Sequence, residues 1–151
     1  MKFHDGIIDR FSRRAPDICI GGEQDPYMRR WYVIPRNRFF NIYLHNIVRS
    51  DEDRALHDHP WWSLSLCLRG GMLELDAANK LPVPIVAGEW RLRSANYAHR
   101  LVVDSDDDCW TLFITGPRLR DWGFHCPRGW VRWQDFTAGA NGELVGKGCG
   151  E

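Results

Sequence analysis

From Trp31 to Pro117 apolar and polar residues alternate in short runs, and no segment carries a long helical period. Seven runs, 31–34, 39–48, 61–68, 72–75, 89–92, 101–103 and 110–115, are rich in aromatic and β-branched residues and are separated by Gly, Pro, Asn and Asp clusters. Period two sends successive side chains to opposite faces of a sheet, and branched and aromatic side chains pack well on such a surface. Many short strands at this spacing predict an all-β sandwich or barrel. Residues 1–30 are polar and turn-rich, with a short helix expected at 6–13. Residues 118–136, RLRDWGFHCPRGWVRWQDF, form an aromatic, loop-like stretch expected to cover part of the barrel. From Thr137 on there are five glycines and no aromatic residue, so 137–151 is expected to be a flexible tail. No repeat or low-complexity linker divides the chain, which reads as one domain over 1–136.

Composition narrows the function classes. Apolar residues make up 44% and aromatic residues 13% of 151, enough for a sizeable core. Lys plus Arg equals Asp plus Glu at 20 each, interspersed, which argues against a nucleic-acid or anionic-membrane partner. No apolar stretch reaches the ~18 residues of a membrane span, and the start lacks the apolar core of a secretory signal. Cys19, Cys67, Cys109, Cys126 and Cys149 are widely spaced without a CxxC pair. That pattern suits reduced thiols, and a cytoplasmic location is the matching expectation. No GxGxxG, Walker A, GxSxG or HExxH sequence occurs, so nucleotide-dependent chemistry and serine hydrolysis have no support.

His57-Asp58-His59 carries the chemistry. On a strand, residues i and i+2 share a face, so both imidazoles point to one locus. His99 follows a turn, SANYAH, after a later strand. Imidazole suits Fe, Zn, Cu, Mn and Ni, and three such ligands leave coordination positions open.

The spacing resembles the cupin superfamily. Its first motif, G-x5-H-x-H-x3,4-E-x6-G, matches in register at Asp51, His57, His59, Ser63 and Gly70. Its second, G-x5-P-x-G-x2-H-x3-N, matches at Gly88, Ser94, Asn96, His99 and Val103. Asn at 96 is a mild change, since Asn tolerates a left-handed turn. The resemblance spans about 40–116 and implies a double-stranded β-helix, or jelly roll, with His57, His59 and His99 holding one divalent transition metal. It departs from the pattern at Ser63, where the usual glutamate ligand is missing. A three-histidine site resembles the thiol dioxygenase branch, which implies Fe(II), with Zn, Ni or Mn as substitutes. Neutral ligands leave the ion its full +2 charge, which favours an anionic substrate. The aromatic C-terminal end is similar to that of small bacterial and phage cupins.

On the strand after the pair, Trp61, Ser63, Ser65 and Cys67 share the histidine phase and would line a roomy substrate pocket, with Arg54 near its mouth as an anion-binding candidate. Leu64, Leu66 and Leu68 face the other way and need another layer or a second subunit, so a homodimer is expected. His45 is a candidate fourth ligand, though a solvent-facing or hydrogen-bonded role suits it better. His125 reads as structural and His4 as terminal. Arg91 and Arg93 could grip a carboxylate, but alternate with Trp90 and Leu92 beside Glu89, which reads as a solvated sheet face. Cys67 and Cys109 read as buried structural thiols, and the tryptophans as core and lid. The expected function is a non-haem Fe(II) dioxygenase acting on a small molecule. The alternatives are a non-catalytic ligand-binding module and a sugar-type isomerase or epimerase.

Overall fold

The computed structural model describes residues 3–51, 54–79, 81–103 and 108–150; His4 has no described side chain. A helix, α1 (Phe3–Ser12), precedes β1 (Ile18–Ile20), β2 (Met28–Tyr32), β3 (Asn41–Ile47), β4 (Leu56–His57), β5 (Ser63–Arg69) and β6 (Gly71–Asp76). The chain continues through β7 (Val83–Val86), β8 (Trp90–Arg93), β9 (His99–Val102), β10 (Cys109–Thr115), β11 (Gly123–Cys126), β12 (Gly129–Arg132) and a single helical turn, α2 (Trp133–Phe136). Two six-stranded sheets form, in the orders β1-β2-β3-β10-β5-β8 and β12-β11-β4-β9-β6-β7, and all their pairings are antiparallel. This is a jelly roll, the all-β architecture that the alternation predicts in the particular form that the cupin resemblance implies. No described helix is long and apolar enough to cross a membrane.

Two apolar clusters divide the packing. Met28, Ile47, Cys67, Met72, Ile85, Leu101, Val103 and Cys109 fill one end of the barrel between the sheets. On the outer face of the first sheet, Trp31, Leu44, Leu68 and Trp110 are covered by Ile8, with Ile7 and Phe11 beside it. Positions 7, 8 and 11 form one stripe of a helix, so α1 supplies the extra layer that the leucine phase of β5 requires. β3 is therefore buried on both faces, from Tyr43 to Ile47. Both motif glycines are needed for backbone reasons: Gly70 has φ of 72° and Gly88 φ of 96°. A Cβ at Gly70 would also collide with the carbonyl oxygen of Asp108. Asn96 differs from expectation, because no described residue other than glycine has positive φ; its side chain instead accepts a hydrogen bond from Ser94 Oγ at 2.9 Å.

The C-terminal region also departs from the sequence reading. β11 and β12 pair as a hairpin and extend the second sheet, so the expected loop-like cover is partly strand. Residues 137–150 make several contacts with the rest of the chain. Cys126 and Cys149 form a disulfide, Gly148 N–H donates to Phe136 O at 3.0 Å, and Ala138 pairs with Leu144 as an isolated bridge. Phe136, fully buried, stacks on Phe124 with ring centroids 3.7 Å apart. Glycine content signalled looseness, but it could not show that two cysteines 23 residues apart meet. Cys19, Cys67 and Cys109 are free. A thiol titration of denatured, unreduced protein should accordingly count three thiols, rising to five after reduction; five without reductant would remove the clasp from the account.

Candidate metal centre

The three histidines reach one point from two neighbouring strands and the turn that follows one of them. β4 is only two residues long, and His57 on it pairs directly with His99 at the start of β9. The ladder on the other side pairs His57 with Phe124. His59 follows outside the strand, where its N–H donates to Ala95 O at 3.0 Å. Between the histidines, Asp58 is 1% exposed and turned toward the C-terminal hairpin. Its Oδ1 accepts from Gly123 N–H at 2.9 Å, and its Oδ2 receives His125 Nε2 and Trp130 Nε1 at 2.9 Å and Arg120 Nη1 at 3.0 Å. One carboxylate with four partners thus fixes the backbone between two inward-facing imidazoles. His125 is structural, as expected.

Ring centroids lie 4.9 Å apart for His57–His59 and His57–His99, and 5.2 Å for His59–His99. One nitrogen of each ring lies within 4.8 Å of the others, so the cluster could hold a metal ion. His59 Nε2 and His99 Nε2 are 2.9 Å apart. Two imidazole nitrogens at right angles around one ion, each at about 2.1 Å, would be separated by about 3.0 Å. Trp122 walls the site, stacked on His59 at 6.5 Å and edge-on to His57 at 6.2 Å.

Carboxylates stand behind two of the rings rather than among the ligands. Glu74 Oε1 meets His99 Nδ1 at 2.6 Å, and Asp51 Oδ2 lies 3.4 Å from His57 Nδ1. Such contacts hold the ring orientation and leave Nε2 as the lone-pair nitrogen facing inward. Glu74 also receives Arg93 Nε at 2.6 Å, and Arg93 Nη1 donates to Ser65 Oγ at 2.9 Å. Burial, which opposes ionisation, would push the Glu74 carboxyl up, but the His99 and Arg93 hydrogen bonds outweigh it and hold it below its usual range. Burial also holds His57 and His59 well below the usual imidazole range, and neighbouring histidines and Arg93 add to this. His99 is lowered by burial too, against the opposing pull of Glu74. Neutral rings with free lone pairs are the form a metal ion requires. Three such donors fit a divalent first-row transition ion.

The remaining candidates divide. Trp61 and Ser65 line the cavity in front of the histidines. Ser63 is fully buried on the inner face of its strand but is not part of that lining. Cys67 packs in the apolar end of the barrel beside Cys109, with its thiol toward the carbonyl oxygens of Arg69 and Gly70. Arg54 turns away: its guanidinium lies 4.7 Å from the Phe136 ring and donates to Gly146 O at 3.1 Å, clamping the C-terminal segment. His45 Nε2 accepts from Arg30 Nε at 2.9 Å, and its ring stacks on Phe113 at 4.9 Å, so that nitrogen is committed to Arg30 rather than to the cluster. Arg91 is the surface residue expected, paired with Glu89 at 3.3 Å. Arg93 is not, being only 5% exposed. Glu74, Asp51, Asp58 and Arg30 escaped sequence reasoning as site residues. The one available signal was that Met72, Glu74 and Asp76 share a strand phase, now seen to be the buried one.

No protein-family model and no curated protein matches the chain. Solved structures do. The polyketide cyclase RemF of Streptomyces resistomycificus superposes with a TM-score of 0.57 at 14% identity, over 86% of this chain and 80% of that one. A sugar phosphate isomerase of the cupin superfamily from Silicibacter pomeroyi gives 0.52 at 13% identity, over 80% and 84%. A cupin-2 domain containing protein of Shewanella frigidimarina gives 0.52 at 14%, over 74% and 92%. The chain has the cupin fold, and carries within it a three-histidine cluster that could hold a metal ion.

Glu74 orients one of the three rings, so Glu74→Gln should weaken metal affinity roughly 10–100-fold in a chelator competition, in line with the loss of other partners of metal-bound histidines. Unchanged affinity would show that Glu74 serves Arg93 alone.

Proposed function

We propose that the chain is a metal-dependent cupin enzyme acting on a small molecule, with His57, His59 and His99 as the metal ligands. The observation that carries this reading is the convergence of three neutral imidazoles, two of them buried and backed by carboxylates, on a cavity with no carboxylate in its described lining. An ion bound there supplies a Lewis acid and a redox centre with open positions. The protein's own part is to hold the three rings, exclude bulk water with Trp122 and the C-terminal hairpin, and keep the ligand set free of negative charge. A neutral ligand set leaves the ion its full charge, and Fe(II) with a dioxygenase reaction is the finer reading we favour on that ground. The solved structures with this fold include a cyclase and an isomerase, and at such low identity they support the fold without choosing the reaction.

The same reading includes a second copy of the chain. Beyond the area that α1 covers, the outer face of the first sheet leaves Leu92 74% and Trp90 52% exposed, on a strand paired with Leu64 and Leu66. A homodimer would bury this strip, and light scattering should report twice the chain mass of 17.6 kDa. Leu92→Asp should return the mass to that of one chain, and a monomeric wild type would remove the dimer from the proposal.

Metal content tests the principal claim. Protein purified without chelator should carry about one transition ion per chain, and His57→Ala or His99→Ala should lose most of it, because only two imidazoles would remain. Equal loading in either variant would contradict the ligand assignment. Fe(II)-loaded protein, screened against thiols and small carboxylates in an oxygen electrode, should consume oxygen with at least one. Silence with iron confirmed in place would favour the ligand-binding module or the isomerase.

A further inference from the structure

The cavity in front of the histidines is unbalanced in charge. Among the described residues its lining includes Arg30 and Arg93 and no aspartate or glutamate. Arg93 is matched by Glu74 behind it, through Nε, and by Ser65 through Nη1. Its Nη2 is buried with no hydrogen-bond partner among the described residues. The described contacts of Arg30 are with neutral rings: Nε donates to His45 Nε2 at 2.9 Å, and the guanidinium lies 4.6 Å from the Tyr43 ring centroid. No described carboxylate pairs with it. The indole Nε1–H of Trp61, whose ring stacks on His59 at 6.4 Å, is likewise buried without an acceptor.

Both orphaned groups in the lining, Arg93 Nη2 and Trp61 Nε1, can only donate. Arg30 is partly buried, and a cation shielded from water without a counter-ion is costly, as is a buried donor without an acceptor. A water could accept from these donors but would leave the charge of Arg30 uncompensated. An anion answers both needs. The cavity is small, about 60 Å³, on a scale where one water takes about 10–15 Å³. Two free donors and that little space favour the flat, two-oxygen head of a carboxylate over the bulkier phosphate, and arginine suits such a head well.

We propose that this cavity binds a small organic carboxylate, with Arg30 and Arg93 supplying the charge and Arg93 Nη2 and the Trp61 indole N–H supplying hydrogen bonds. This names the substrate class of the metal-dependent site proposed above and rests on that reading for its catalytic meaning. The donors themselves belong to the protein and act with or without an ion.

Calorimetric titration of chelator-treated and Zn-loaded full-length protein with pyruvate, oxalate and the isosteric pyruvamide is the test. Carboxylates should bind both forms, more tightly with the ion present, and the amide should not. Trp61→Phe keeps the ring and removes one donor, and should weaken carboxylate binding about fivefold or more. Arg30→Gln should weaken it about tenfold or more, with Arg30→Lys retaining part of the affinity. Circular dichroism and thermal midpoints identify any variant that fails to fold, and Trp61→Phe keeps the test alive if Arg30→Gln does. Equal binding of the amide, tighter binding of inorganic phosphate, or unchanged affinity in both folded variants would overturn the proposal. Carboxylate binding by a wild type that never retains metal would overturn the metal reading instead and leave this one standing. A metal-loaded protein that binds no carboxylate would do the reverse.

Discussion

Glu74 lies in the barrel's polar end, and its Oε1 links the histidine cluster of its own sheet to an arginine of the other. The residue lies on β6 of the second sheet. One bond runs to His99 on β9 of the same sheet, and the other crosses to Arg93 on β8 of the first. A carboxylate this deeply buried is tolerable only with such partners, because an unpaired charge in the interior carries a heavy desolvation penalty. The dependence is mutual. Without Glu74, Arg93 would be a buried cation facing neutral groups, and His99 would lose the contact that holds its Nδ1 away from the cluster. The geometry of the histidine cluster and the closure of the barrel therefore share one interaction.

A similar economy appears at His57-Asp58-His59. Alternation on an extended segment sends the two imidazoles inward and the aspartate outward, and each side is used. Asp58 is enclosed by Gly123, His125, Trp130 and Arg120, all from the C-terminal part of the chain. The C-terminal hairpin is thus fastened to the very segment that carries two of the histidines. Its own position is secured by the stacking of Phe124 on Phe136 and by the disulfide from Cys126 to Cys149. The aromatic end that covers the site and the ligand segment beneath it form one hydrogen-bonded unit.

The long strands and the three histidines were legible in the sequence because period two and the His-x-His spacing are direct consequences of extended backbone. Short elements were not. β4 has two residues, β7 contains Pro84, and β11 and β12 are four residues each around a proline-containing turn, so none shows a readable period. The larger miss is physical. On β6 and β8 the usual rule is inverted: Leu73 is 41% and Leu92 74% exposed, whereas Glu74 and Arg93 are buried. Polar residues turn inward there to pair with each other and with His99, and local sequence rules do not foresee such buried pairs. Arg54 misled for a related reason, since nearness in sequence to His57 says nothing about which way a long side chain turns.

The most direct test of the account is a crystal structure of metal-loaded protein with anomalous scattering measured at the metal edge. The account predicts one peak inside the barrel, bound by Nε2 of His57, His59 and His99 at about 2.0–2.2 Å, with Glu74 still hydrogen-bonded to His99 Nδ1 and outside the coordination sphere. A peak coordinated by Glu74 itself, or no peak within the barrel of a protein shown to contain metal, would contradict it.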